Sequence, residues 1–208
     1  IKPGLSMDAT LKQSRRQDIL QALVHMLESN PGERVTTAAL AKQVGVSEAA
    51  LYRHFPSKGK MFEALISFAE DALFSRVTRI LQEQSTALGR CQQMLTLVIT
   101  FADRNPGLCL ILTGSALQGE HERLHKRAAQ IFERLETQLK QTLRQAEVEE
   151  GLVTRQATTA IANLLLACVE GRINQYIRSG FKQSPDTHWQ DQWTFLAEHL
   201  FSTEKFAL

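Results

Sequence analysis

The sequence contains no apolar run approaching the roughly 20 residues that cross a bilayer as a helix, so no membrane partner is expected. It has only three cysteines, Cys91, Cys109 and Cys168, far apart and each in apolar sequence. An odd, scattered set excludes a disulfide framework and offers no metal-ligand spacing. The expectation is buried small hydrophobes in a reducing compartment. Sustained period-two alternation is missing, and so is any Asn-Gly hairpin signal, so strands are not expected. There is no Gly-rich phosphate loop and no HExxH, and His54 has no Cys or Ser partner in a recognisable motif. Glu120-His121-Glu122 reads as a charged helix start rather than a metal site. Neither an enzyme nor a cofactor is expected. The first residues, "IKPGLSMDATLKQSRR", lack the apolar core of a signal peptide. Residues 1–11 are expected to be disordered, with Ile1 to Ser6 preceding a native start near Met7.

Helical periodicity dominates what is present, and 43% of the residues are hydrophobic. Ile19, Leu20, Leu23, Val24 and Leu27 line one face of a first helix over about Lys12–Ser29, stopped by "SNPGE". Thr36 is the expected N-cap of a second helix ending at Gly45, and Ser47 that of a third ending by Phe55 and Pro56. Ser57 caps a long fourth helix to about Glu83. Further helices are expected over about Leu88–Arg104, through "LCLILTGSAL", and over His121–Glu147, Thr154–Ser179 and Asp186–Thr203. The fold class is therefore all-α, with nine helices. The first three are short and basic and the rest longer and more apolar, which puts a boundary near Pro56. Residues 12–56 form the expected small domain and 57–208 the large one.

Charge follows the same division. Residues 1–60 carry nine Lys/Arg against five Asp/Glu, whereas residues 61–208 carry fifteen against seventeen. The basic end calls for an anionic partner. It also contains "VTTAALAKQVGVSEAALYRHFPSK", two short helices joined at Gly45, a helix-turn-helix. Ala39, Leu40 and Val44 are expected to pack against Val46, Ala50 and Leu51. The second of these helices then projects Ser47, Glu48, Tyr52 and Arg53. Tyr52 offers a flat ring to a thymine methyl or a sugar, and Arg53 and His54 suit phosphate or guanine. Lys58 stands in the first turn of the fourth helix, where free N–H groups favour an anion. Both Tyr52 and Lys58 are expected to be exposed. Thr36 and Thr37 offer hydroxyls to the DNA backbone. Lys12, Arg15 and Arg16 read as an arm adding phosphate or minor-groove contacts. Ala49 completes the DNA-facing set, and Phe55 is expected to pack inward.

At these residues the chain resembles the TetR family of DNA-binding regulators. "TTAALAKQVGVSEAALYRHFPSKGKMF" matches the family's helix-turn-helix and its Tyr-x-His-Phe-x-x-Lys ending. The resemblance implies a nine-helix homodimer, assembled mainly by the eighth and ninth helices, with recognition helices meeting successive major grooves of a palindromic duplex. Ala160, Leu164, Ala167, Cys168 and Gly171 form a small-residue stripe on the eighth helix, to which Trp193 and Leu196 add the ninth.

Within that family, "RNPGL", "ILTG", "IFERLE", "QLKQTLR" and "EGRINQYIRSGFK" are similar to segments of the nucleoid occlusion factors. That likeness implies a cytoplasmic, nucleoid-associated division inhibitor that contacts FtsZ, through its C-terminal tail, while on DNA. Phe68, Ala72 and Arg76 recur every four residues on one face of the fourth helix. By resemblance Leu97, Thr100, Arg104 and Asn105 add a neighbouring wall from the fifth helix. The competing expectation is that Phe68 and Leu97 are core and Arg76 a solvated charge. The alternative function is a conventional TetR-like repressor sensing a small apolar ligand among the fourth to eighth helices.

Overall fold

The computed structural model describes residues 15–202. Lys12, the segment 1–11 and Thr203 lie outside the described residues. Among the described residues there are nine α-helices: α1 Arg15–Ser29, α2 Thr37–Val44, α3 Glu48–His54, α4 Lys58–Glu83, α5 Ala87–Arg104, α6 Pro106–Leu112, α7 Glu122–Glu149, α8 Thr158–Arg178 and α9 Trp189–Leu200. None of them is long and apolar enough to cross a membrane.

The chain divides into two compact units, one of residues 1–72 with 104–129, the other of 73–103 with 130–208. In the first, α1 buries Ile19, Leu23, Val24 and Leu27, and leaves Leu20 half-exposed. Leu40 and Ala41 of α2 and Leu51 of α3 complete this small core. Ala39, expected inside, is exposed and Ala41 is buried instead, because the Thr36 cap starts α2 with residues 40 and 41 on its inner face. The division does not fall at Pro56. Helix α6 lies so close to α1 that a Cβ on Gly107 would stand 2.6 Å from the Val24 carbonyl oxygen. The Gly107 N–H also donates to the Glu28 carboxylate at 3.2 Å. Only glycine permits that approach. The expected helix through "LCLILTGSAL" breaks at Gly114, which takes φ 80°, and resumes as a 3-10 turn at Ser115–Leu117.

In the second unit α5 buries a broad face from Ala87 to Ala102 and leaves Gln93 and Asp103 exposed, and α8 buries Ile161, Ala162, Leu165, Leu166, Val169 and Ile173. Trp189 Nε1 donates to Thr96 Oγ1 at 2.8 Å, and the Tyr176 hydroxyl donates to the Asp103 carbonyl at 3.3 Å. The α8–α9 connection is held by a buried guanidinium. Arg172 donates to the carbonyls of Pro185 (2.7 Å) and Thr187 (2.9 Å), and to the Gln192 side chain, with Trp189 beneath it. One two-stranded antiparallel ladder, β1 Val153–Thr154 with β2 Phe201–Ser202, closes this unit. It corrects the strand-free expectation. Two-residue strands are too short to show alternation, and Thr154, Phe201 and Ser202 fall at the ends of the expected eighth and ninth helices.

Candidate nucleic-acid interface

Local capping sets the geometry of the helix-turn-helix. Thr36 Oγ1 accepts the Ala39 N–H and Ser47 Oγ the Ala50 N–H, both at 3.2 Å. Gly45 takes φ 74°, and its N–H reaches back to the carbonyls of Ala41 and Lys42. That left-handed turn reverses the chain without the strain a Cβ would bring. With Leu51 anchored inside, α3 presents Glu48, Ala49, Tyr52 and Arg53 to solvent, and Tyr52 is 43% exposed. Thr36, Ser47 and Arg15 are exposed and His54 half-buried. Thr37, expected to offer its hydroxyl outward, donates it to Glu48 Oε2 at 3.0 Å and accepts from the Tyr52 hydroxyl at 3.3 Å.

Two of the expected cations are engaged by residues of their own unit, Lys58 half-buried and Arg16 at the exposed surface. Lys58 is not exposed. Its Nζ pairs with Glu120 at 2.7 Å and donates to the Val35 carbonyl at 3.2 Å, with side-chain exposures of 16% for Lys58 and 12% for Glu120. The pairing brings together residues 62 positions apart in sequence, which only the folded chain does. Arg16 does not reach out as an arm. It donates to the His54 carbonyl at 2.6 Å and lies 4.1 Å over the Phe55 ring, which is buried as expected. It thus satisfies a carbonyl at the C-terminus of α3, where a positive charge also suits the helix dipole. Arg15 pairs with Asp18 at 3.6 Å.

A charged cluster on α4 and α7 escaped the sequence reading. Glu63 meets Lys60 at 2.6 Å, Arg123 at 3.0 Å and Arg127 at 3.4 Å. The Lys60 hydrogen bond, helped by the two arginines, holds the Glu63 carboxyl below the usual carboxylate range. Ser57, Gly59, Lys60, Glu63, His121, Arg123 and Leu124 line an open pocket of about 220 Å³ beside the α3–α4 turn. Only the Lys60–Glu63 spacing was legible; the arginines arrive from a distant helix.

Of the residues assigned to a protein partner, Phe68, Ala72 and Arg76 are half-buried along α4. Thr100 is half-buried and Arg104 exposed. Leu97 and Asn105 are corrections, at 8% and 4% exposure. Leu97 belongs to the apolar packing of α5. Asn105 sits in the α5–α6 corner, where its carbonyl accepts from Leu108 and Cys109. Neither presents a side chain to a partner.

On α8, Ala160, Leu164, Ala167 and Gly171 are exposed and Cys168 is half-buried. A Cβ added at Gly171 would meet nothing within 4 Å. The stripe is an open face. Trp193 is a correction: it is 4% exposed and tilted against Trp189 in the unit's own core. Leu196 is half-buried. The large exposed apolar side chain of α9 is Phe195, 60% exposed and stacked on His199 with ring centres 4.2 Å apart. The phase of α9 against the rest of the unit decides that Phe195, and not Trp193, faces out.

The same contrast governs the thiols. Burial pushes Cys91 up to about 12, and Cys109 is buried. Cys168, half-exposed, is the accessible one. With the protein diluted until it is monomeric, so that the α8 face is open, a maleimide at neutral pH should therefore label Cys168 first, and all three thiols only after denaturation. Intact-mass and peptide mapping check this; early label on Cys91 would contradict it.

Residues 19–65 match the family described as bacterial regulatory proteins, tetR family. Residues 84–201 match the SlmA-like family described as tetracyclin repressor-like, C-terminal domain. The chain is 57% identical over 189 residues to the nucleoid occlusion factor SlmA of Marinomonas sp. (strain MWYL1), covering 91% of this chain and 96% of that protein. It is 53% identical to SlmA of Shewanella woodyi (strain ATCC 51908 / MS32), over 95% of this chain and 100% of the other. Among solved structures it is similar in fold to the MbdR regulator from Azoarcus sp. CIB, with TM-score 0.77, 17% identity, and coverage of 90% and 99% of the two chains. The ketosteroid transcriptional regulator KstR2 of Mycobacterium tuberculosis gives TM-score 0.74 at 20% identity, with 93% and 98% coverage.

Proposed function

The chain belongs to the SlmA family of nucleoid occlusion factors, a branch of the TetR-like regulators, and on that premise we propose that it binds palindromic chromosomal DNA as a homodimer and, while bound, contacts FtsZ and blocks Z-ring assembly. It is a nucleoid-associated regulator and not an enzyme. The observation that carries the DNA part is the Ser47-capped α3, which exposes Glu48, Tyr52 and Arg53 from a buried Leu51 anchor. The dimer part rests on the open α8 stripe and on Phe195.

For FtsZ, the α4 face of Phe68, Ala72 and Arg76 supplies an apolar anchor followed by a cation. An acidic peptide with an apolar side chain, such as the FtsZ tail, suits that order. Arg76→Asp replaces attraction with repulsion at a partly exposed contact. The change costs about 1–2 kcal/mol, or roughly ten-fold in peptide affinity. Arg76 lies beyond the helix-turn-helix, so operator binding stays intact. FtsZ-tail binding and operator binding are measured on the parent and on Arg76→Asp, with FtsZ polymer sedimentation in the presence and absence of operator. Loss of tail binding and of division arrest alone is the expected split. Equal tail binding by the two proteins, or none by the parent, would leave a conventional ligand-responsive repressor.

A further inference from the structure

Two hydroxyls and a carboxylate form a chain across the helix-turn-helix: the Tyr52 hydroxyl donates to Thr37 Oγ1, which donates to Glu48 Oε2. Glu48 is the first residue of α3 and is exposed. The N-terminal residues of a recognition helix are those that reach base edges. A carboxylate carried into a groove between two rows of phosphates opposes binding unless it meets a donor there. Among the described residues it is held by a neutral hydroxyl, which orients the charge without cancelling it. Thr37 occupies Oε2 and leaves Oε1 directed by the same hydrogen bond.

The major-groove edges differ in what they offer such an oxygen. Guanine shows two acceptors and thymine one, and all of them repel a carboxylate. Adenine pairs its amino donor with an acceptor, N7, on the same base. Cytosine shows the N4 amino donor and no acceptor of its own. We infer that Glu48 determines specificity by accepting from cytosine N4, so that each operator half-site carries a C·G pair opposite the first turn of α3. This inference rests on the DNA-binding reading above. Thr37 acts as a positioning residue, and through it the Tyr52 ring and the Glu48 carboxylate are held in one arrangement.

The test uses the full chain. Duplexes are first selected from a random-sequence pool by the parent protein, and each base pair of the selected half-site is then replaced symmetrically. Affinities are measured for the parent, Glu48→Ala, Glu48→Gln and Thr37→Val, with circular dichroism melts as folding controls. The parent should lose roughly five- to hundred-fold at one C·G position. Glu48→Ala should accept any pair there within about three-fold and keep the parent's discrimination elsewhere. Glu48→Gln should move the preference at that position towards adenine, since an amide matches N6 and N7 together. Thr37→Val should blunt discrimination at the same position without changing which base is preferred. If Glu48→Ala retains the parent's discrimination at every position and changes only the melting temperature, Glu48 is a helix-start residue and the inference is wrong. If the parent selects no sequence at all, the DNA-binding reading itself fails and takes the inference with it.

Discussion

Arginine at position 167 should convert the protein to monomers and lower operator affinity at least a hundred-fold. Ala167 lies exposed in the middle of the α8 stripe, with Leu164 and Gly171 one turn to either side. If this face meets its own copy across a two-fold axis, every substitution is felt twice. An uncompensated charge buried in such a contact costs about 3–5 kcal/mol, so the pair costs about 6–10 kcal/mol, enough to dissociate a dimer of ordinary affinity. Operator affinity follows because a dimer holds the second half-site at high effective concentration, a gain of about 10²–10⁴ that a monomer forfeits. Phe195→Asp should act in the same direction from α9, since it removes a 60%-exposed apolar side chain and adds charge. Analytical ultracentrifugation with an operator titration decides the matter; an Ala167→Arg protein that stays fully dimeric places the interface elsewhere.

Removal of the Lys58 side chain should destabilise the fold rather than remove a phosphate contact. Lys58→Ala leaves Glu120, only 12% exposed, without its cation, and the Val35 carbonyl without its donor. Breaking one side of a largely buried pair costs about 3 kcal/mol, which in a chain of this size lowers the melting temperature by roughly 6–12 °C. Lys58→Met combined with Glu120→Gln should recover much of the loss, because no charge is then stranded. The salt dependence of operator binding should keep its slope. A melting temperature unchanged from the parent, with a slope flatter by about one counterion, would make Lys58 a phosphate ligand after all.

The helix-turn-helix was legible residue by residue: the Thr36 and Ser47 caps, the left-handed Gly45 and the inward Phe55 stand where local chemistry put them. The two caps and the turn each depend on neighbours within four positions, where short-range rules act, whereas the burial of Phe55 is completed by Arg16 lying over its ring. Tyr52 was expected outside for the same reason and is outside. Lys58 and Arg16 look like solvated cations in sequence because their partners, Glu120, the His54 carbonyl and the Phe55 ring, lie 38 or more positions away.

By itself, the sequence determined the all-α class, the position and handedness of the turn, and the polar face of α3. Hydrophobic period, capping and the freedom of glycine are properties of a few consecutive residues, and they fix local backbone before any packing occurs. Tertiary structure alone decided which side chains remain available. It buried Trp193, Leu97 and Asn105, turned Phe195 outward, and tied Lys58 and Arg16 within the unit. It also joined α6 to α1 through Gly107 and closed the Val153–Ser202 ladder. Availability depends on what else occupies the space around a side chain. That is set by the phase at which distant helices meet, and no stretch of sequence contains it.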